Sequence, residues 1–262
     1  MALPLTFLSD YGYEDEFAGA CRAVVARLAP GVSVVDLTHG IPPGDLRRGA
    51  LSLEATVIPV GPAVHMAVVD PGVGSGRRAV ALAAGESFLV GPDNGLLDLA
   101  AARLGGVREA IEISSSALRL EPVAPTFHGR DLFAPVAAHL AAGRPLAVAG
   151  EPLDPGELLK LDLPSPRLED GALLVHVLYA DHYGNLILDA RPEDLEGAPG
   201  AISVSTGGTS FAAAQGRTFA DGAGGLVVYH DSSGRLGLAL DGGSAARHLG
   251  AGRDDELALE RA

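Results

Sequence analysis

The sequence predicts an α/β N-terminal domain built on a doubly wound, mainly parallel sheet, followed by an all-β, barrel-like C-terminal domain. Three observations predict it. Over about the first 160 residues, apolar runs of strand length alternate with amphipathic helical segments, the pattern of strands joined by helical crossovers. The segment LDLPSPRLEDG, residues 161–171, carries two prolines among polar residues and reads as a linker. Beyond it, LLVHVLYAD, GNLILDA, AISVST, LVVYHD and RLGLAL are short β-branched or alternating runs between Gly, Asp and Ser turns, as in an antiparallel barrel or sandwich. The predicted domains are residues 1–162 and 169–262.

The elements follow in order. Leu3 to Leu8 reads as a strand, and Asp15 to Leu28 as a helix with Phe17, Cys21, Val24, Val25 and Leu28 on one face, closed by Pro30. Val32 to Leu37 is a second buried strand. After the loop THGIPPG, a helix from Asp45 to Val57 buries Leu46, Ala50, Leu53 and Val57. Val64 to Val69 is a third strand, and it ends on Asp70. Arg78 to Ala84 and Ser87 to Val90 are further strands; Leu96 to Leu104 and Asp131 to Ala142 are helical, and SAARHLGAG is the only helical segment of the C-terminal part. Ligands of open α/β sheets sit beyond the carboxyl ends of strands. Asp10, Asp36 and Asp70 all fall there.

Composition narrows the function classes. The 262 residues are 47% hydrophobic and 20% charged, ordinary globular usage. The net charge of −14, with no Lys/Arg run longer than two residues, argues against nucleic acid and anionic membrane surfaces as partners. No run approaches the roughly 18 apolar residues of a membrane span. The N-terminal MALPLTFLS has no basic flank and reads as a buried strand rather than a signal peptide. The single cysteine, Cys21, excludes an internal disulfide and fits a reducing cytoplasm.

Four loops hold more Asp, Gly, Ser and Asn than turns require: SDYGYED (9–15), VVDPGVGSGRR (68–78), TFHGRD (126–131) and ADHYGN (180–185). DPGVGSG lacks the ending of a phosphate-binding P-loop and the GxGxxG spacing, so taken alone it is a glycine turn that Asp70 caps. His128 with Arg130 and Asp131 reads as a helix-start cluster in which Asp131 is the N-cap. Asp36–His39 and Asp181–His182 are conceivable metal ligands, but no H-E-x-x-H spacing accompanies them and no metal site is predicted. The chain has no GxSxG motif, and Cys21 lies on the buried face of its helix, which argues against acyl-enzyme chemistry.

Taken together, FLSDYGYEDEFAG, VDLTHGIPPGD, VVDPGVGSGRR, GPDNGLL, FHGRD, ADHYGN and DSSGRLGLALDGGSAA occur in the order and with the approximate separations of the S-adenosyl-L-methionine (SAM) hydroxide adenosyltransferase family, relatives of the SAM-dependent fluorinase and chlorinase. The chain resembles this family over essentially its whole length. The resemblance implies hydrolysis of SAM to adenosine and L-methionine, with SAM as substrate and no separate cofactor. It implies a homotrimer in which SAM lies at the subunit interface. By matching motifs, Asp10 holds the ribose hydroxyls, Asp15 and Asp181 face the methionine amino group, and Ser232 and Ser233 lie near its carboxylate. Asn185 and the main chain at Asp241 and Gly242 read the adenine, with Phe219 packed on the purine. Where the halogenases carry Tyr in the strand-end loop, the hydrolases carry Asp, here Asp70; they add an Arg seven residues on, Arg77, and a His in the FHG segment, His128. The sequence departs from the family where Asp241 and Phe219 stand in place of the common Asn and Tyr, so the resemblance carries the chemistry but not the details of purine recognition.

These three residues suit displacement at the ribose C5′. The sulfonium leaves as a neutral thioether, so the catalytic demand falls on the nucleophile. A carboxylate that accepts the proton of water and a guanidinium that stabilises growing hydroxide charge meet it. Two alternatives stay open at this point: halide transfer to SAM, which the charged trio disfavours, and a non-catalytic SAM- or adenosine-binding protein.

Overall fold

The computed structural model describes residues 2–195 and 201–261. The chain divides into two compact units, Met1–Asp162 and Leu163–Ala262.

The first unit is a seven-stranded mixed sheet with helices on both faces. Its strands are β1 (Leu5–Ser9), β2 (Val34–Thr38), β3 (Val64–Val68), β4 (Ala79–Ala84), β5 (Ser87–Pro92), β6 (Val107–Glu112) and β7 (Glu151–Leu153), in the order β2-β1-β3-β5-β4-β6-β7. β2, β1, β3 and β5 run parallel, with Leu5 opposite both Val34 and Val64, and Val64 opposite Phe88. β4 returns antiparallel to β5 as a hairpin, and β6 and β7 extend the sheet antiparallel. Every residue of β1, β3 and β4 is buried, as strands covered on both faces must be. β6 and β7 escape the sequence reading because their apolar patterns are short and broken by Glu109, Glu112 and Glu151.

One face is covered by α1 (Phe17–Leu28) and α4 (Ala134–Ala141), the other by α2 (Leu46–Val60) and α3 (Asp98–Arg103). α1 buries Ala18, Cys21, Val24 and Val25, a stripe at helical spacing. Asp45 caps α2 by accepting from the Arg48 N–H at 3.0 Å, and Gly61 at φ +76° ends it. The helix expected from Asp131 starts earlier. Gly129–Phe133 form a π turn that runs into α4, and Asp131 is no N-cap. Its carboxylate instead accepts from the Ala124 N–H at 2.9 Å and from Arg130.

The second unit is a barrel. β9 (Ala172–Ala180), β10 (Leu186–Leu188), β11 (Ala201–Thr206), β12 (Thr209–Gln215), β13 (Leu226–His230), β14 (Leu236–Leu240) and β15 (Glu256–Arg261) follow the order β10-β14-β13-β12-β11-β15-β9, and pairing of β10 with β9 closes the ring. All these pairings are antiparallel except β12 with β13. The parallel pair obliges the chain to cross over through residues 216–225, which carry Phe219. The short strand β8 (Arg167–Glu169) adds antiparallel to β9, so part of the proline-containing stretch read as a linker is sheet. The short helix α5 (Ala245–Leu249) is capped by Ser244 and ended by Gly250 at φ +62°.

Leu53 is fully buried between α2 and the sheet. Leu53→Ala is expected to lower unfolding stability by about 2–5 kcal/mol, read as a fall in the urea midpoint at unchanged slope.

Candidate active site

In the first unit, the carboxyl ends of parallel strands deliver the polar groups. Asp10 follows β1 and Asp70 follows β3, side by side in the sheet. The Asp70 loop is fastened from β5, because the Asn94 side-chain amide donates to the Val69 carbonyl at 3.0 Å. Asp70 and Arg77 form a forked ion pair: Arg77 Nε donates to the two carboxylate oxygens at 2.9 and 3.0 Å, and Nη2 donates to Oδ2. Their side chains are only 5% and 10% exposed, so each charge depends on the other. Removing one partner of such a buried pair costs roughly 3–5 kcal/mol. The guanidinium also lies over the Phe133 ring, 5.3 Å from its centre.

His128 completes the group. Its Nδ1 is 3.0 Å from Arg77 Nη2. Arginine can only donate, so Nδ1 is the acceptor and the ring proton sits on Nε2. Burial, and then the Arg77 charge, hold His128 below the usual histidine value of 6.5, which favours this neutral ring. Asp10 is shifted the other way. Burial raises it above the usual 3.8, opposed by the Gly44 N–H that donates to Oδ2 at 2.8 Å, with a further upward push from Asp70.

Asp10, Asp70 and His128 line one small cleft together with Tyr11, Val68, Val73, Thr126 and Gly129. Its volume is about 50 Å³, enough to hold water. Two glycines shape it. A Cβ on Gly129 would fall 2.0 Å from the Tyr11 hydroxyl, and one on Gly74, at φ +77°, would fall 2.7 Å from the Pro125 carbonyl. Glycine therefore lets the 70–78 loop press on the 120–128 segment. Asp15 is exposed and does not line the cleft.

In the second unit, Asp181, Phe219 and Ser232 line a groove of about 520 Å³ with Tyr179, Arg217 and Tyr229, a volume in the range of small-molecule sites. Phe219 is half exposed and packs edge-on against Tyr229 at 5.1 Å. Asp181 Oδ1 accepts from the Tyr183 and Asn185 N–H groups, and Oδ2 accepts from the Asn185 side-chain amide at 2.8 Å. Asn185 is thus buried and committed to Asp181 rather than to the groove. Ser233 Oγ bonds Asp231, Asp241 accepts from the Gly224 N–H, and Gly242 takes φ +75°. None of these three lines the groove. Tyr11, Thr126, Gly129 and Tyr229 line the two spaces and were missed as individual residues; only Tyr11 and the TFHG segment lay in loops that the sequence had marked.

Two family models cover the chain: the SAM hydroxide adenosyltransferase N-terminal domain matches residues 5–150, and its C-terminal domain matches residues 175–258. The chain belongs to the SAM hydroxide adenosyltransferase family. It is 49% identical over 254 residues to an (R)-S-adenosyl-L-methionine hydrolase of Salinispora tropica, covering 97% of this chain and 96% of that one. It is 42% identical to one of Thermus thermophilus, covering 94% and 95%. A fluorinase of an Actinoplanes species is further off, at 31% identity with 90% of each covered. Among solved structures, an uncharacterized conserved protein from Thermotoga maritima matches with a TM-score of 0.91 at 32% identity, over 98% of this chain and all of that one. A conserved hypothetical protein from Thermus thermophilus matches with 0.76 at 40% identity, over 98% and 99%. Among the described residues, no helix is long and apolar enough to cross a membrane.

The Gly129–Tyr11 contact gives a test of the cleft's geometry in this family member. Gly129→Ala is expected to lower the melting temperature by several degrees, about 1–3 kcal/mol for an overpacked contact. Tyr11→Phe removes the atom nearest the added methyl, so the double variant should lose less than the sum of the single losses.

Proposed function

We propose that this protein hydrolyses S-adenosyl-L-methionine to adenosine and L-methionine by in-line attack of water on the ribose C5′. The observation that carries the reading is the bonded Asp70–Arg77–His128 group, whose Asp70 and His128 line a small cleft, in a chain of the SAM hydroxide adenosyltransferase family. In the reaction the water oxygen bonds to C5′, the C5′–sulfur bond breaks, and its electron pair stays on methionine as a neutral thioether. One proton must leave the water.

The roles follow from the hydrogen bonds. His128 Nδ1 already accepts from Arg77, so its free Nε2–H is a donor that orients the water rather than a base. Asp70, with lone pairs beyond those that Arg77 occupies, takes the water's hydrogen bond and proton. Arg77 holds that carboxylate in place and lowers the cost of growing hydroxide charge. Asp10 holds the ribose hydroxyls. Of the residues that the resemblance assigns to the rest of the substrate, Asp181 serves the methionine amino group, Ser232 its carboxylate and Phe219 the adenine, all three on the groove of the second unit. Asn185 and Ser233, bonded to Asp181 and Asp231, support that groove from behind. No step calls for a cofactor, because the leaving group is already activated by its positive charge. A carboxylate in the cleft repels halide, which argues against halide transfer. A homotrimer, as the family resemblance implies, is tested by light scattering on the purified protein. A cytoplasmic setting fits the single cysteine.

The direct test is incubation with SAM in oxygen-18 water, with and without chloride, using both sulfonium epimers because the curated relatives are named for the (R) form. Adenosine carrying one labelled 5′ oxygen is expected; 5′-chloro-adenosine, or bound but intact SAM, overturns the reading. Asp70→Ala is expected to keep SAM binding by calorimetry and to lower kcat by about 10²–10⁴-fold, the usual worth of a positioned base.

The pH profile has a defined sign. The unfolded chain binds a proton at His128 more readily than the folded one, whose value lies below 6.5. This residue's contribution to stability therefore rises with pH and is complete above 6.5. Protonation of Nδ1 also removes the Arg77 bond. Activity is expected to fall on the acid side at a pH below 6.5, and His128→Asn, which can still accept from Arg77, should move that limb.

A further inference from the structure

Adjoining Asp10 in the chain lies a second polar group that the mechanism does not use. Asp36 and His39, weighed from sequence as metal ligands, meet Ser9 and Arg22 there. Ser9 Oγ is 2.8 Å from His39 Nδ1, His39 Nε2 is 3.3 Å from Asp36 Oδ1, and Arg22 Nη1 donates to Asp36 Oδ2 at 2.5 Å. Ser9 is fully buried and His39 is 1% exposed.

The set resembles a nucleophilic triad in composition only. Ser9 has no access to a substrate, and its Oγ already accepts from the Tyr11 N–H at 3.3 Å. The direction of each bond follows. If His39 donated from Nδ1, the buried Ser9 hydroxyl would have no acceptor, and the Nε2 lone pair would face the Asp36 carboxylate. With the proton on Nε2, Ser9 donates to Nδ1, accepts from Tyr11, and Nε2–H faces Asp36. That arrangement satisfies the Ser9 hydroxyl. His39 Nε2 and Asp36 Oδ1, 3.3 Å apart, make no hydrogen bond of good geometry, but an N–H facing the carboxylate attracts it where a lone pair would repel it.

His39 also holds the neighbouring chain through its backbone. Its N–H donates to the Tyr13 hydroxyl at 2.9 Å, and its carbonyl accepts from the Gly12 N–H at 2.8 Å. Its ring sits edge-on against Phe7 at 4.6 Å and Tyr13 at 5.5 Å. Residues 9 and 11–13 are thus tied at four points to one histidine or its serine partner. Between the tied residues stands Asp10, whose carboxylate is aimed at the cleft and bonded to Gly44 of the same 38–44 loop.

We propose that His39, through Ser9, is a positioning residue for substrate binding: it sets the backbone that places Asp10 and Tyr11 in the reaction cleft. The inference rests on the SAM-hydrolase reading for the identity of the substrate. Because Asp10 serves the ribose and not the proton transfer, loosening this tie weakens binding more than chemistry. A general loss of folding would not separate KM from kcat in that way.

The experiment compares Ser9→Ala, His39→Leu and His39→Asn with the wild type in the full chain, measuring KM and kcat for SAM and the melting temperature. Ser9→Ala and His39→Leu are expected to raise KM roughly 3- to 10-fold, the worth of one lost buried hydrogen bond, with kcat changed less. His39→Asn keeps an acceptor facing Ser9 and should stay within about twofold of the wild-type KM. Long-range proton–nitrogen NMR of the wild type should show His39 with its proton on Nε2. If the wild type cleaves SAM and both Ser9→Ala and His39→Leu keep its KM, or if His39 carries its proton on Nδ1, this inference alone is overturned. A wild type that leaves SAM intact overturns the hydrolase reading and this inference together.

Discussion

Two charges that the protein interior would not hold separately, Asp70 and Arg77, face each other at the end of β3 with almost no solvent contact. The forked bond makes each one's burial tolerable, and much around it keeps that geometry. Asn94 fixes the backbone before Asp70, Gly74 lets the intervening loop lie against Pro125, and Phe133 supplies a face for the guanidinium. His128 then reads the result: its tautomer is set by a donor that cannot do anything but donate. The protonation pattern of the cleft is therefore a consequence of one ion pair rather than of three independent residues.

The strand order explains why Asp10 belongs to the same cleft. β1 and β3 are parallel neighbours in register from Leu5 and Val64, so loops far apart in sequence leave the sheet at the same edge. That edge is the usual ligand side of a parallel sheet. Its cost is a set of polar groups with little water, and Asp10 shows it in a value pushed up by burial. The chemistry assigned to the cleft profits from the same dryness. Cancellation of opposite charges between a hydroxide-like nucleophile and a sulfonium gains in a medium of low polarity.

Much of the parallel half of the first unit was legible in the sequence, because β1 and β3 are uninterrupted apolar runs and α1 carries its stripe at regular spacing. The strands β6 and β7 at one end of the sheet were not, since half-exposed strands with glutamates give no clean period. In the barrel, β12 and β15 were missed for a similar reason: alanine-rich and alternating charged stretches say little without their partners. The helix expected from Asp131 began two residues early as a π turn, an irregularity often found near functional sites. Its carboxylate bonds upstream to Ala124 rather than capping downstream.

By itself the sequence determined the residue types and their order: Asp70, Arg77 and His128 in motifs that resemble those of one family, Asp10 at a strand end, and a barrel after the Pro-rich stretch. These are properties of local composition and motif spacing, which a linear chain carries openly. Tertiary structure decided which groups are partners. It bonded Asn185 to Asp181 and Ser233 to Asp231, left Asp15 exposed, and set His39 against Asp36 and against Ser9, the residue before Asp10. It also fixed the proton of His128 on Nε2. Hydrogen-bond partners separated by dozens of residues depend on distances of a few tenths of an ångström and on burial, and neither is written in the spacing of the motifs.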